Sequence, residues 1–149
     1  CKKNKQDFFY FSDLVALSAP IGLFLGRIAN FINSELYGRE TDVFWSVIFS
    51  KIDNVTRHPS QLYEAFLEGV ILFLIMFLLV KKNCLTKPGL ISSIFIIFYS
   101  LFRFFAELYR APDEQLGFVI VNLTMGQIMS LIFLLIGFNL FLNKKNEKK

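Results

Sequence analysis

Between Leu116 and Asn143 the chain runs for 28 residues without a charged side chain. About 20 apolar residues are enough to carry an α-helix across the hydrocarbon of a bilayer. In lipid every backbone N–H and C=O must be satisfied internally, which leaves only helices and closed barrels as spanning structures. Three further stretches, near 12–32, 61–80 and 89–108, are apolar for most of their length and charged near one end. No ten-residue segment alternates with period 2 as a barrel strand would. Composition agrees: 54% hydrophobic residues, 19 Phe and a mean hydropathy of +0.51 exceed what a soluble core of 149 residues can hide. The chain is therefore expected to be an all-α, polytopic transmembrane helical bundle. It reads as one domain over 1–149, with the last span near 120–142 and a longer loop over 34–60.

The basic residues between the spans give the orientation, because cytoplasmic loops carry the excess of Lys and Arg. Lys2, Lys3 and Lys5 precede the first span, Lys81, Lys82 and Lys87 follow the second, and Lys144, Lys145, Lys148 and Lys149 follow the last. With four spans these all fall on one side, expected to be cytoplasmic and to hold both termini. The other side receives Lys51 and every arginine: Arg27, Arg39, Arg57, Arg103 and Arg110. Lysine serves well as a hydrated topological charge, whereas the planar fork of arginine suits phosphate and carboxylate. The arginine end reads as an anion site facing the outer leaflet. A net charge of +4 in such a chain points to membrane lipids and not to nucleic acid.

Cys84 falls in the lysine loop, and no Cys/His spacing suggests a metal. A chain that starts at Cys1, ahead of a basic flank, reads as part of something longer; the rival reading, a lipidated Cys1, would need that terminus outside. The loop 34–60 mixes Phe44, Trp45, Val47, Ile48 and Phe49 with polar residues and is expected to lie on or dip into the outer leaflet, unless it is a plain connection.

Polar residues then line up at the arginine end. Arg27 and Asn30 share a helix face, with Gly26 small enough to admit another group, and Glu35 and Gly38 follow at the turn. Ser60 is placed to cap the second span, with Glu64 in its first turn and Glu68 one turn deeper. Arg103, Glu107 and Arg110 stand at i, i+4 and i+7 of the third span, and an Arg103–Glu107 pair would fix the guanidinium. A charge near a bilayer centre costs about 2.5–3.5 kcal/mol or more and is kept where something needs it. Arg27, Asn30, Glu35, Arg103 and Glu107 are most economically read as one shared site. Blander roles suit the rest: Arg39 and Arg110 can snorkel, Glu64 and Glu68 can pair with Arg57 or Arg103, and Asn122, Thr124 and Gln127 can bond between helices. His58 is either a loop residue or, as the only histidine, a participant in chemistry.

The strings GRIANFINSELYG at 26–38, RHPSQLYE at 57–64, FRFFAELYRAPDEQLG at 102–117 and LTMGQIMS at 123–130 resemble, in that order, the second half of the bacterial prolipoprotein diacylglyceryl transferases. Ala29 and Ser34 stand where that family usually has glycine, and Tyr37 where tryptophan is common. The resemblance implies an inner-membrane enzyme of about seven spans, of which this chain resembles the last four. It implies transfer of the diacylglyceryl group of phosphatidylglycerol to the lipobox cysteine of a prolipoprotein, forming a thioether and releasing glycerol phosphate without a cofactor. It implies that Arg27 binds the lipid head group, that Asn30, Glu35 and Gly38 are functional signature positions, and that Arg103 and Glu107 act in lipid binding and catalysis. The family's important histidine and tyrosine belong to its first half, which leaves His58 a weaker candidate and this chain inactive by itself. Without the resemblance, a lipid or anion transporter or a non-catalytic membrane subunit would show similar polar residues.

Overall fold

The computed structural model describes residues 8–112, 118–120 and 123–146; Cys1, Lys2, Lys3, Lys5, Asn122, Lys148 and Lys149 lie outside them. Four helices are long and apolar enough to cross a membrane: α1 (Phe8–Asn33), α2 (Ser60–Lys81), α3 (Leu90–Glu107) and α4 (Met125–Asn146). At 1.5 Å per residue, the 26 residues of α1 extend about 39 Å, more than a bilayer's hydrocarbon thickness. The expected all-α membrane bundle is thus what forms. The helices alternate in direction, giving the bundle a lysine end, with Phe9, Lys81 and Lys144, and an arginine end, with Arg27 and Arg103.

Packing is driven by small residues as much as by large ones. A Cβ on Gly69 would lie 2.7 Å from the Cβ of Phe24, so α1 and α2 approach only because the side chain is absent. Gly69 sits in a π-helical segment, Ala65–Ile71, that widens α2 in mid-course. A Cβ on Gly137 would meet Ile97 at 2.9 Å, and α3 and α4 form the most extensive helix pair of the bundle. Ala16, Leu72, Met76 and Ile91 make the buried apolar cluster. Leu25, Leu78 and Leu135 remain exposed on the outside, as lipid-facing residues do.

Two short strand pairs interrupt the helical pattern. In the loop, β1 (Val47–Ile48) pairs antiparallel with β2 (Thr56–Arg57), and isolated bridges join Gly38 to Arg110 and Glu40 to Arg57. Ahead of the last helix, β3 (Phe118–Ile120) pairs with β4 (Leu123–Thr124). The uncharged run therefore does not enter its helix at 120. Its start is set by a capping box: the Gln127 amide donates to Thr124 Oγ1 at 3.3 Å and the Thr124 amide to Gln127 Oε1 at 3.0 Å, which fixes the first turn at Met125.

Candidate functional site

Five charged side chains from three helices meet at the arginine end. Glu64 Oε2 stands 2.7 Å from Arg27 Nε and 3.0 Å from Arg103 Nη1. Glu68 lies 3.3 Å from Arg27 Nη2 and 3.8 Å from Arg103 Nη1, and Glu107 Oε2 is 2.8 Å from Arg103 Nη2. The Arg103–Glu107 pair expected from the i, i+4 spacing is present. Glu64 and Glu68, expected to pair with Arg57 or Arg103, do pair with Arg103 and pair also with Arg27, because α2 lies between α1 and α3, while Arg57 pairs with Asp53 and Glu40. The carboxylates are almost fully buried, at 1%, 0% and 6% side-chain exposure, and both guanidiniums are at 15%. Ionised, the cluster carries two positive charges against three negative ones. Oε1 of Glu64 and Oε1 of Glu68 have no hydrogen-bond partner among the described residues, an unfinished arrangement where partial satisfaction is costly.

Glu107 is held from a third direction. Thr124 Oγ1 donates to its Oε1 at 3.1 Å, and Gly126 brings the α4 backbone so near that a Cβ there would lie 2.7 Å from the carboxyl carbon. Thr124, which the sequence offers as helix-to-helix glue, thus both starts α4 and holds a cluster carboxylate.

Two cavities flank the arginines. One, of about 510 Å3, runs along Ala19, Gly22 and Gly26 of α1, with Phe95 and Tyr99 opposite, and ends at Arg27 and Asn30. The other, of about 130 Å3, is lined by Tyr99, Arg103, Gly126 and Ser130. Tyr99, one turn before Arg103, lines both. Its mid-span position among apolar residues gave it no distinguishing signal, whereas Glu64 and Glu68, acids four apart on one span, did carry one. Arg27 uses Nε and Nη2 on the glutamates, and its Nη1 has no partner among the described residues.

Not every expected site residue joins the cluster. Arg27, Arg103 and Glu107 do, and Asn30 lines the adjoining cavity. The Glu35 side chain is exposed and makes none of the cluster's ion pairs; its backbone carbonyl accepts from Gln61 Nε2 at 2.6 Å. Gly38 packs where a Cβ would collide with the His58 carbonyl, and its amide donates to that carbonyl at 3.1 Å. Ser60 makes no side-chain cap; its hydroxyl donates to the Leu36 carbonyl at 3.2 Å, so the start of α2 grips the turn that follows α1. Within that turn Ser34 has φ 63°, a left-handed position closing a helix where glycine would be unstrained.

His58 stands in a separate aromatic groove of about 460 Å3. Its Nδ1 is 3.2 Å from the Tyr63 hydroxyl, which accepts from Trp45 Nε1 at 2.6 Å, and its ring meets Tyr109 edge-on at 5.2 Å. The other arginines serve the loop. Arg57 binds Asp53 at 2.6 Å and lies over Tyr37 at 4.9 Å, and this guanidinium holds the Asp53 carboxyl below its usual range. Arg39 Nε donates to the Arg110 carbonyl at 2.9 Å. Arg110 is buried and bridged to Gly38, so it does not snorkel. Phe44 projects from the loop while Phe49 is buried, edge-on to Phe31.

The family model for prolipoprotein diacylglyceryl transferase matches residues 1–143. A protein of Rickettsia bellii named phosphatidylglycerol–prolipoprotein diacylglyceryl transferase is 52% identical over 143 residues, covering 95% of this chain and 54% of the relative. Proteins of the same name from Rickettsia felis and Rickettsia typhi are each 54% identical over 138 residues, covering 92% of this chain and 53% of theirs. The chain spans about half the length of the curated relatives it matches. The stretch matched by the family model takes in the four helices through residue 143 and the loop that carries the signature string, and the chain belongs to the prolipoprotein diacylglyceryl transferase family.

Proposed function

We propose that this chain supplies the lipid-binding part of an enzyme that transfers the diacylglyceryl group of phosphatidylglycerol to the lipobox cysteine of prolipoproteins. In that reaction the thiol sulfur forms a bond to the glycerol carbon, the carbon–oxygen bond to phosphate breaks, glycerol phosphate leaves and the thiol proton passes to a base. The observation that carries the reading is the pair of guanidiniums from α1 and α3 at one end of a membrane bundle. A phosphate leaving group gains charge as the bond breaks, and preorganised cationic donors stabilise that charge. Arg27 offers its uncommitted Nη1 beside Asn30, and the cavity along α1 suits an acyl chain leading to that headgroup. Arg103, fixed by Glu107, is the second donor. Glu35 and Gly38 act through the turn that sets the start of α2, and His58 belongs to the substrate side through the aromatic groove. This reading puts the enzyme in the bacterial inner membrane, with the arginine end toward the periplasmic leaflet and the lysine end, with both termini of the chain, in the cytoplasm, and the segregation of lysine from arginine supports it.

The test is phosphatidylglycerol-dependent labelling of a lipobox peptide by the complete protein, compared with its Arg27→Ala and Arg103→Ala variants. The expected outcome is a thioether product from the parent and a loss of at least about 100-fold in each variant, with membrane insertion intact. Lipid flux without covalent product would identify a transporter instead. Near-normal labelling in both variants would remove the two-arginine site.

A further inference from the structure

We infer that Glu64 is a positioning residue, the carboxylate that sets two guanidiniums from different helices against one another. The inference rests on the reaction proposed above and names what arranges its arginines. One oxygen, Oε2, lies within 3.0 Å of both Arg27 Nε and Arg103 Nη1, and no other cluster atom is that near to both. Glu107 reaches only Arg103, from its own helix. Glu68 touches the two through separate oxygens at 3.3 and 3.8 Å. Two guanidiniums at this depth repel, and the shared oxygen between them converts repulsion into a fixed separation. The contacts are those of a charge between two charges, because neither Glu64 oxygen makes an aligned hydrogen bond.

Glu64 is itself held in place. It is the fifth residue of α2, whose first turn is tied to the signature turn by Ser60 to the Leu36 carbonyl and Gln61 to the Glu35 carbonyl. A shift of the turn after α1 is thereby passed through α2 to both arginines. This gives the exposed Glu35 and the closely packed Gly38 a route to the cluster that needs no contact between their side chains and the guanidiniums.

Glu64→Gln keeps the shape but removes the negative charge between the two cations, and Glu64→Asp keeps the charge one methylene short. In the complete enzyme, assayed with phosphatidylglycerol and a lipobox peptide, Glu64→Gln is expected to lower kcat about 30-fold with a far smaller change in KM, since misplaced groups cost turnover first. Glu64→Asp is expected to recover part of the loss. Arg27→Lys and Arg103→Lys should combine non-additively with Glu64 present and additively in the Glu64→Gln background. A Glu64→Gln enzyme that keeps more than half of the parent kcat, or arginine effects that combine alike in both backgrounds, would overturn the inference. If the parent makes no thioether, the proposed reaction fails instead. The same double-mutant comparison, read in thermal unfolding midpoints, then decides the role of Glu64.

Discussion

The two ends of the bundle bury carboxylates equally and treat them oppositely. At the lysine end Asp13 is fully buried, and its two oxygens accept from the Gly89 amide at 2.8 Å and the Ser92 amide at 2.7 Å. It caps α3 from a neighbouring helix, with both oxygens bonded to immobile neutral donors. At the arginine end Glu64 and Glu68 are equally buried, yet their partners are guanidiniums on other helices and oxygens are left over. Burial therefore does not mark a site. What separates the two is whether the surrounding groups complete the carboxylate's hydrogen bonding, as an architectural cap does, or hold charges in an incomplete network as a reactive centre can.

That contrast can be broken from either end. Among changes that leave the five charged side chains in place, the largest effect is expected at Gly126, where an alanine Cβ would press on the Glu107 carboxylate that Arg103 and Thr124 already hold. Gly126→Ala should cut the proposed transfer by the complete protein at least about 10-fold, the consequence of misplacing a charged group, with a smaller change in unfolding temperature. A variant as active as the parent would show that the close approach of α4 is incidental. Asp13→Ala should behave in the opposite way. Leaving the buried Gly89 amide and the part-buried Ser92 amide unpaired costs up to about 1–3 kcal/mol each, so the protein should melt earlier while turnover per folded molecule stays within twofold. A selective loss of turnover would make the lysine end part of the site.

The smallest effect tests the loop at the arginine end. Asp53 is held ionised chiefly by its hydrogen bonds from Arg57, and to a lesser degree by the Val55 amide. A carboxyl group whose folded value is lowered stabilises the fold above its ordinary value, about 4, and the contribution fades as pH falls through the lowered one. Hydrogen exchange across 53–57, corrected for its intrinsic pH dependence, should therefore speed up on acidification in the parent. In Asp53→Asn it should be fast at every pH. Equal profiles would show that the Arg57 contact does not organise the loop.

Much of the membrane architecture was legible in the chain. Hydropathy alone marks four helices, since lipid leaves the backbone no alternative, and the i, i+4 spacing alone marks the Arg103–Glu107 pair. Thr124 and Gln127 were expected to bond between helices, and the uncharged run around them hides the helix boundary that their mutual capping sets at Met125. The partner of Arg27 was not legible, because Glu35, Glu64, Glu68 and Glu107 all fall at the same end of the spans in sequence terms. Only the order in which the helices pack puts α2 between α1 and α3. Equally hidden were the π-helical segment of α2 and the role of Ser60, whose hydroxyl finds the Leu36 carbonyl only once two chain turns are adjacent.

The sequence by itself determined that this chain is a helical membrane protein with lysine at one end and arginine at the other. Those properties follow from single-residue transfer energies and local spacing, which add along the chain without reference to any fold. Only the tertiary structure decided which arginines gather inside the bundle. Arg39, Arg57 and Arg110 are taken up by the loop, while Arg27 and Arg103 meet across Glu64. That division depends on separations of about 3 Å between residues of different helices, and close packing sets such distances.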